Sequence, residues 1–316
     1  MKKNHLLLVL CATLFLFSCQ ENKTQITDNN ELKVLSWNIW HGGHVKAYPK
    51  IGCEGTIGIL KESKADVILI IETYGSSHQI ADSLHFYHRL LSSNLSIYSR
   101  YPIIKTYTFP DSISTFNFGG VLINKNGKKI RIFDTWLHYL PDSRLAPTDK
   151  NEAEIIAWET AGTRDDEIKK IINVLQPFIA EADSIPIIMG GDFNSHSHLD
   201  WTEATKKMYH HGGAVVKWPV SECMINAGFK DSFREFNPDP VKNIGTSWLS
   251  PVKKEGSSET AKRSDRIDYI YYMGNKLSIT SSEVYDNDLG TNFIFMGKYF
   301  FYASDHGFVL TDFNIK

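Results

Sequence analysis

The segment Asp66-Val67-Ile68-Leu69-Ile70-Ile71 runs apolar for five residues without alternation and stops at a charged Glu72. A strand with one wet face alternates apolar and polar residues, so an unbroken run belongs to a strand covered on both faces. The sheet that holds it must therefore lie between other layers. A helix is predicted just before it, from Thr56 to Ser63, and a second β-prone run, Leu32 to Trp37, precedes that helix. The chain thus opens as a β-α-β unit whose strands each deliver a polar residue at the C-terminal end, Asn38 and Glu72.

Strands are predicted further on at Leu95–Ser99, Ile103–Phe109, Gly120–Asn124 and Lys129–Leu137, with Asn126-Gly127 as a tight hairpin turn. Residues Arg164 to Ala182 carry Ile168, Ile171, Ile172, Leu175 and Ile179 at helical spacing, interrupted only by Pro177. They lead into a strand at Ile185–Met189, after which Gly190-Gly191 brings the chain to Asp192. From His196 to Glu259 the sequence is irregular, with one helix expected near Pro219–Ala227. Strands at Ile267–Tyr272, Leu277–Val284 and Phe308–Asp312 close the chain.

The N-terminus has a separate character. Lys2-Lys3, an apolar stretch from Leu6 to Phe17, and Ser18 before Cys19 form the layout of a bacterial lipoprotein leader. The stretch is short for a permanent membrane helix. Residues 1–18 are expected to be a signal peptide, Cys19 the lipidated residue, residues 19–31 a tether, and residues 32–316 the catalytic domain of an exported, membrane-anchored protein. Loss of the leader removes two lysines and no acid, taking the formal charge from −2 to −4. A chain this acidic lacks the footprint of a dedicated nucleic-acid binder. Of four cysteines, Cys53 and Cys223 remain to form a disulfide or to stay as thiols.

Six strand ends or loops present carboxylates, carboxamides and imidazoles: Asn38, Glu72, His138, Asp192 with Asn194, Asp268, and Asp305 with His306. Oxygen donors without cysteine suit a hard cation, Mg²⁺ or Mn²⁺. Hydrolysis of a phosphate ester needs charge neutralisation on the phosphoryl oxygens, a water in line with the leaving group, and support for the departing alkoxide. These residue types meet those needs: Glu72 can hold a cation, His306 can change protonation near neutral pH, and Asp268 can orient its ring.

In order, Trp37-Asn38-Ile39, Ile71-Glu72-Thr73, Gly191-Asp192-Phe193-Asn194-Ser195, Arg266-Ile267-Asp268-Tyr269-Ile270 and Ser304-Asp305-His306 resemble the endonuclease/exonuclease/phosphatase superfamily, over Leu32 to the end. That resemblance implies a deoxyribonuclease I-like four-layer α/β sandwich, two packed mixed β-sheets flanked by helices. It implies a metal site at Asn38, Glu72 and Asp305. Asp192 and Asn194 would position water and phosphate, Asp268 would pair with His306, and either Asp192 or His306 would take the proton from water. His138 departs from the pattern, since the family's histidine follows a threonine directly and here Trp136-Leu137 intervene after Thr135.

His41, His44, His198 and Trp201 are further candidates for lining the substrate site, and Trp218 and Trp248 for walling it. His196, His198, Asp200 and His210-His211 could be read as a zinc cluster, a reading the carboxylate-rich surroundings disfavour. The expected activity is phosphodiester or phosphomonoester hydrolysis outside the cytoplasm by a monomer. An extracellular nuclease and a non-catalytic surface binding protein on the same fold are the alternatives.

Overall fold

The computed structural model describes residues 30–316 apart from 48, 209 and 254–259. The expected signal peptide, lipidated Cys19 and nearly all of the tether therefore lie outside the described residues. In chain order the elements are β1 (Glu31–Asn38), α1 (Pro49–Ser63), β2 (Val67–Ile71), α2 (Ser77–Leu84), β3 (Tyr87–Leu90), β4 (Ser96–Ser99), β5 (Ile103–Thr106), β6 (Phe118–Lys125) and β7 (Lys128–Trp136). There follow α3 (Glu152–Thr160), α4 (Arg164–Ile179), β8 (Ile187–Asp192), α5 (Pro219–Asn226), β9 (Lys230–Asp231) and α6 (Ser232–Phe236). The chain ends with β10 (Trp248–Lys253), β11 (Thr260–Asp265), β12 (Asp268–Met273), β13 (Leu277–Tyr285), β14 (Asn292–Phe295), β15 (Lys298–Phe301) and β16 (Phe308–Ile315).

Two six-stranded sheets, ordered β13-β16-β1-β2-β4-β3 and β5-β6-β7-β8-β12-β9, pack face to face. Each is mixed: β1–β2 and β7–β8 are parallel, and the other pairs antiparallel. Val34, Val67, Leu69 and Ile97 of the first sheet meet Val121, Ile132, Ile188 and Ile270 of the second in a largely apolar middle layer. The opposite face of the first sheet, with Leu35, Trp37, Ile68 and Ile70, is covered by α1, α2 and the β14–β15 hairpin. The outer face of the second, with Phe133, Ile187, Met189 and Tyr271, is covered by α4 and α5. β2 is thus buried on both faces, as its unbroken apolar run requires. The four-layer sandwich follows.

Several elements differ from expectation for identifiable reasons. Helix α1 begins at Pro49, earlier than its apolar spacing suggested, because Gly52 and Gly55 lie inside it. They serve close packing: a side chain at Gly52 would strike the Gly43 carbonyl, and one at Gly55 the Phe301 carbonyl. Pro177 does not break α4, since it falls in the last turn and removes a single backbone bond. The short α2, α3 and α6, the β10–β11 and β14–β15 hairpins and the edge strand β3 carried too little periodicity to be foreseen.

Cys53 is buried beneath the first sheet's outer face and Cys223 lies on α5 outside the second. Both are free thiols on opposite flanks, so no disulfide joins them. Among the described residues no helix is long and apolar enough to cross a membrane.

Candidate active site

The two sheets approach closely where Ser36 of β1 faces Gly190 of β8. A Cβ on Gly190 would sit 2.5 Å from Leu69 Cδ1 and 2.9 Å from Ser36 Oγ. Two residues further along each strand, this contact becomes a polar one: Asn38 Nδ2 donates to Asp192 Oδ2 at 3.0 Å. Gly191, with φ +149°, makes the step between, and a side chain there would run into the Thr135 carbonyl.

Each sheet's internal register then adds its neighbours. Asn38 pairs with Ile71 across the parallel β1–β2 ladder, so Glu72 emerges beside it, and Asn38 Nδ2 lies 3.3 Å from Glu72 Oε1. Asp268 pairs with Asp192 across β12–β8. Trp37 pairs with Phe308, which sets His306 at the same edge, and Trp37 Nε1 and the Tyr302 hydroxyl both donate to the His306 carbonyl. Ser304 Oγ donates to the Asn38 carbonyl at 2.6 Å and accepts from the His306 N–H at 2.9 Å.

His306 is the charged centre of the cluster. Its Nδ1 lies 3.0 Å from Asp268 Oδ2, and its Nε2 lies 3.9 Å from Asp192 Oδ2 and 4.0 Å from Asp305 Oδ1. Burial alone would lower its pKa, but Asp268 and Asp192 outweigh that and hold it well above the ordinary imidazole value. The two carboxylates thus favour the charged form of the ring. Burial pushes the Asp192 carboxyl up to about 7 against the pull of His306, with Asp268 adding to the rise. Asp268 is fixed by Ser247, whose Oγ donates to Asp268 Oδ2 at 2.7 Å and accepts from the Asp268 N–H at 3.0 Å.

Asp192 Oδ1 accepts from the Asn194 N–H at 2.9 Å, and Asn194 Nδ2 donates to the Leu137 carbonyl at 2.9 Å. Beneath this turn lies Arg164, fully buried, paired with Glu159 through both Nε and Nη2. It donates to the carbonyls of Asn194 at 2.6 Å and Pro141 at 2.8 Å. Arg164 therefore ties the Asp192–Asn194 turn to the loop that carries Tyr139, Asp142 and Arg144.

These groups open onto a cleft of about 410 Å³ lined by Glu72, Asp192, Asn194, Asp305 and His306. His41 lines it as expected; His44 is exposed and does not. His138 is also absent from its walls, its ring Nδ1 accepting from the Leu140 N–H at 3.2 Å and its own N–H donating to Glu167. His198 holds Ser221 Oγ at 2.8 Å, and Trp201 is core, packed on Trp218, His196 and His211. Asp200 is bound by Arg234 and Arg266, so the residues around it form no zinc site. Trp248 does line the cleft, stacked on His306 with ring centres 5.7 Å apart.

The donor set fits a hard divalent cation. Glu72 presents two carboxylate oxygens held by Asn38 Nδ2 and the His41 N–H, and the buried Asp305 Oδ1 makes no hydrogen bond. Asp192, Asp268 and His306 also bring donor atoms within 4.8 Å of one another. Within that trio His306 Nδ1 is taken up by Asp268, which leaves Nε2 facing Asp192 and Asp305.

The sequence model of the Endonuclease/Exonuclease/phosphatase family matches residues 35–306, which includes every one of these groups. The chain belongs to this family. Its members are phosphoester hydrolases. An uncharacterized Caenorhabditis elegans protein, F14F9.5, is 27% identical over 275 residues, covering 79% of this chain and 81% of that one. Among solved structures the fold resembles D. rerio TDP2 complexed with single-strand DNA product, with TM-score 0.58, 14% identity and coverage of 90% and 99% of the two chains. It also resembles the human Nocturnin catalytic domain with bound sulfate, with TM-score 0.56, 16% identity and coverage of 91% and 96%. A Bacteroides thetaiotaomicron member of the family gives TM-score 0.55 at 12% identity, covering 90% and 98%.

Several residues of this site carried no motif. Asn94, whose Oδ1 accepts from the Glu72 N–H at 3.0 Å, Ser247, Arg164 at the start of α4, and the cleft-lining Tyr74, Trp136, Tyr139 and Arg144 have partners remote in sequence. Only Ser304, adjacent to Asp305 and His306, stood within a recognisable triplet.

Proposed function

We propose that the protein is a Mg²⁺- or Mn²⁺-dependent phosphodiesterase or phosphatase, and that its cleft carries out attack by water in line with the leaving group. The observation that carries this reading is the convergence of Glu72, Asp305, Asp192, Asn194 and the Asp268–His306 pair on one cleft. Glu72 and Asp305 are the residues that would hold the cation, with Asn38 beside them. When bound, the cation neutralises charge on the phosphoryl oxygens and the departing alkoxide.

The chain's own groups supply the rest. His306 Nε2, kept protonated by Asp268, faces the cleft as a donor to a phosphoryl oxygen. That leaves Asp192, restrained by Asn38 and the Asn194 N–H, to accept the proton from water. Asn194 steadies the turn that aims Asp192. Trp248 shields one face of the His306 ring.

The leader sequence supports action outside the cytoplasm, by a protein anchored through lipid on Cys19. Purified protein should hydrolyse bis-p-nitrophenyl phosphate with Mg²⁺ or Mn²⁺ and lose that activity with EDTA, Asp192→Ala or His306→Ala. Unchanged turnover in both variants would overturn the site. Plasmid degradation far faster than small-ester hydrolysis would favour a nuclease instead.

A further inference from the structure

Resting on the phosphoesterase reading, we infer that the cleft selects an ester with a single phosphate group and a planar aromatic ring on the group that the phosphate retains after cleavage. Three observations converge on this substrate class.

The first is the composition of the walls. Trp40, His41 and Tyr74 rise from the ends of β1 and β2 in the first sheet, while Phe116, Trp136 and Tyr139 stand at the ends of β6 and β7 in the second. The phosphate site lies between two aromatic rims. Neighbouring rings brace one another: His41 and Tyr74 at 5.9 Å, Phe116 edge-on to Trp136 at 5.7 Å. Tyr74 and Tyr139 are still 39% and 52% exposed, leaving ring faces for a ligand. Stacking on such faces tolerates any flat ring.

The second is the backbone that holds the first rim. Trp40, His41, Glu72 and Tyr74 all have left-handed φ, at 50°, 51°, 58° and 32°. L-residues avoid this region, and bulky aromatics most of all. The strain is held by the His41 N–H on Glu72 Oε2 at 3.1 Å and the Gly42 N–H on the Glu72 carbonyl at 2.7 Å. Cation-binding carboxylate and aromatic rim are thereby locked as one unit. Strain concentrated in a cleft marks positions whose geometry is functional.

The third is charge. Among the described residues the cleft is lined by four acids (Glu72, Asp142, Asp192 and Asp305), one arginine and His306, and no lysine. Arg144 is engaged by both carboxylate oxygens of Asp142 and stacks over Trp248 at 5.2 Å. One phosphate finds its cations at His306 and the metal site. A second phosphate would meet an Arg144 already neutralised by Asp142. A quaternary ammonium would need an enclosed cage of ring faces, whereas these rims are open and stand apart.

The test uses p-nitrophenyl esters with a constant leaving group and Mn²⁺: those of thymidine 5′-phosphate, phenyl phosphate, methyl phosphate, phosphorylcholine and thymidine 3′,5′-bisphosphate. The thymidine and phenyl esters should exceed the methyl ester at least about tenfold in kcat/KM, chiefly through KM. Whichever of the two leads distinguishes a nucleobase from a simple aryl group. The phosphorylcholine ester should stay near the methyl ester, and the bisphosphate should fall below the thymidine monophosphate ester. Tyr74→Ala and Trp136→Ala should each shrink the thymidine-to-methyl ratio.

Calorimetry on metal-free protein supplies a second readout, with thymidine 5′-monophosphate expected to bind more tightly than methyl phosphate. Equal kcat/KM for esters with and without a ring on the retained group, or a choline or bisphosphate ester as the best substrate, overturns the inference while leaving phosphoesterase activity standing. Selective binding of thymidine 5′-monophosphate without hydrolysis of any ester would uphold the ring preference and overturn the activity.

Discussion

His306 Nδ1 lies 3.0 Å from Asp268 Oδ2, while Nε2 of the same ring faces Asp192 at 3.9 Å. One imidazole ring thus sits between two buried carboxylates, which favour its charged form. Removing the inner one tests the arrangement. Asp268→Asn should lower the His306 pKa, followed by NMR of its ring protons, and reduce kcat by roughly 10²-fold or more with a smaller effect on KM. A pKa unmoved by the substitution would show that the ring owes its charge to another source.

The raised Asp192 pKa has a consequence for stability. A carboxyl whose folded pKa exceeds its unfolded value of 3.8 contributes stability that is full below that value and lost as pH rises through about 7. His306, held above its ordinary value, acts in the same direction at higher pH. Metal-free protein should therefore have a urea midpoint that falls between pH 4 and pH 7. Asp192→Asn should flatten that slope and add about 0.5–2 kcal/mol at neutral pH while abolishing turnover. A midpoint equally pH-sensitive in the variant would refute this.

Asp200 provides the opposite limb. Burial would raise its pKa, but Arg266 and Arg234 outweigh burial and hold it below the usual carboxylate value of 3.8. Its contribution is present above 3.8 and disappears as pH falls below it. Asp200→Asn should weaken the protein at pH 7 by about 3–5 kcal/mol, leaving Arg234 without its carboxylate and Arg266 with Asp231 alone, and reduce the loss on acidification. Chemical denaturation at pH 7 and pH 3 separates these effects.

Arg164 should be needed for both fold and catalysis. Arg164→Met strands the buried Glu159 and should cost about 3–5 kcal/mol in urea unfolding. Arg164→Lys keeps the charge but loses the planar fork that reaches the Asn194 and Pro141 carbonyls, and should lower kcat more than it lowers stability. Wild-type kcat in the lysine variant would mean that the clamp does not position the Asp192–Asn194 turn.

His138→Ala should retain activity to within about threefold, because the ring lies outside the cleft walls and its backbone carries the contact to Glu167. A loss of 10²-fold or more would return His138 to the chemistry.

The amino-acid sequence by itself determined that the first sheet is covered on both faces, and it brought out most of the polar groups that meet at the cleft. The unbroken Val67–Ile71 run demands layers on both sides, and Asn38, Glu72, Asp192, Asp268, Asp305 and His306 sit in short motifs at or beside strand ends. Local pattern reports these because burial and strand-end position act within a few residues. What only the tertiary structure decided is which groups meet. Ser36 against Gly190 sets the distance between the sheets, and from it follow the Asn38–Asp192 bond and the cleft. Arg164 reaching Asn194, Ser247 fixing Asp268, and Trp201 turning into the core all depend on contacts between segments far apart in the chain. Such contacts leave no local periodicity, because packing between sheets and loops, and not backbone preference, selects the partner.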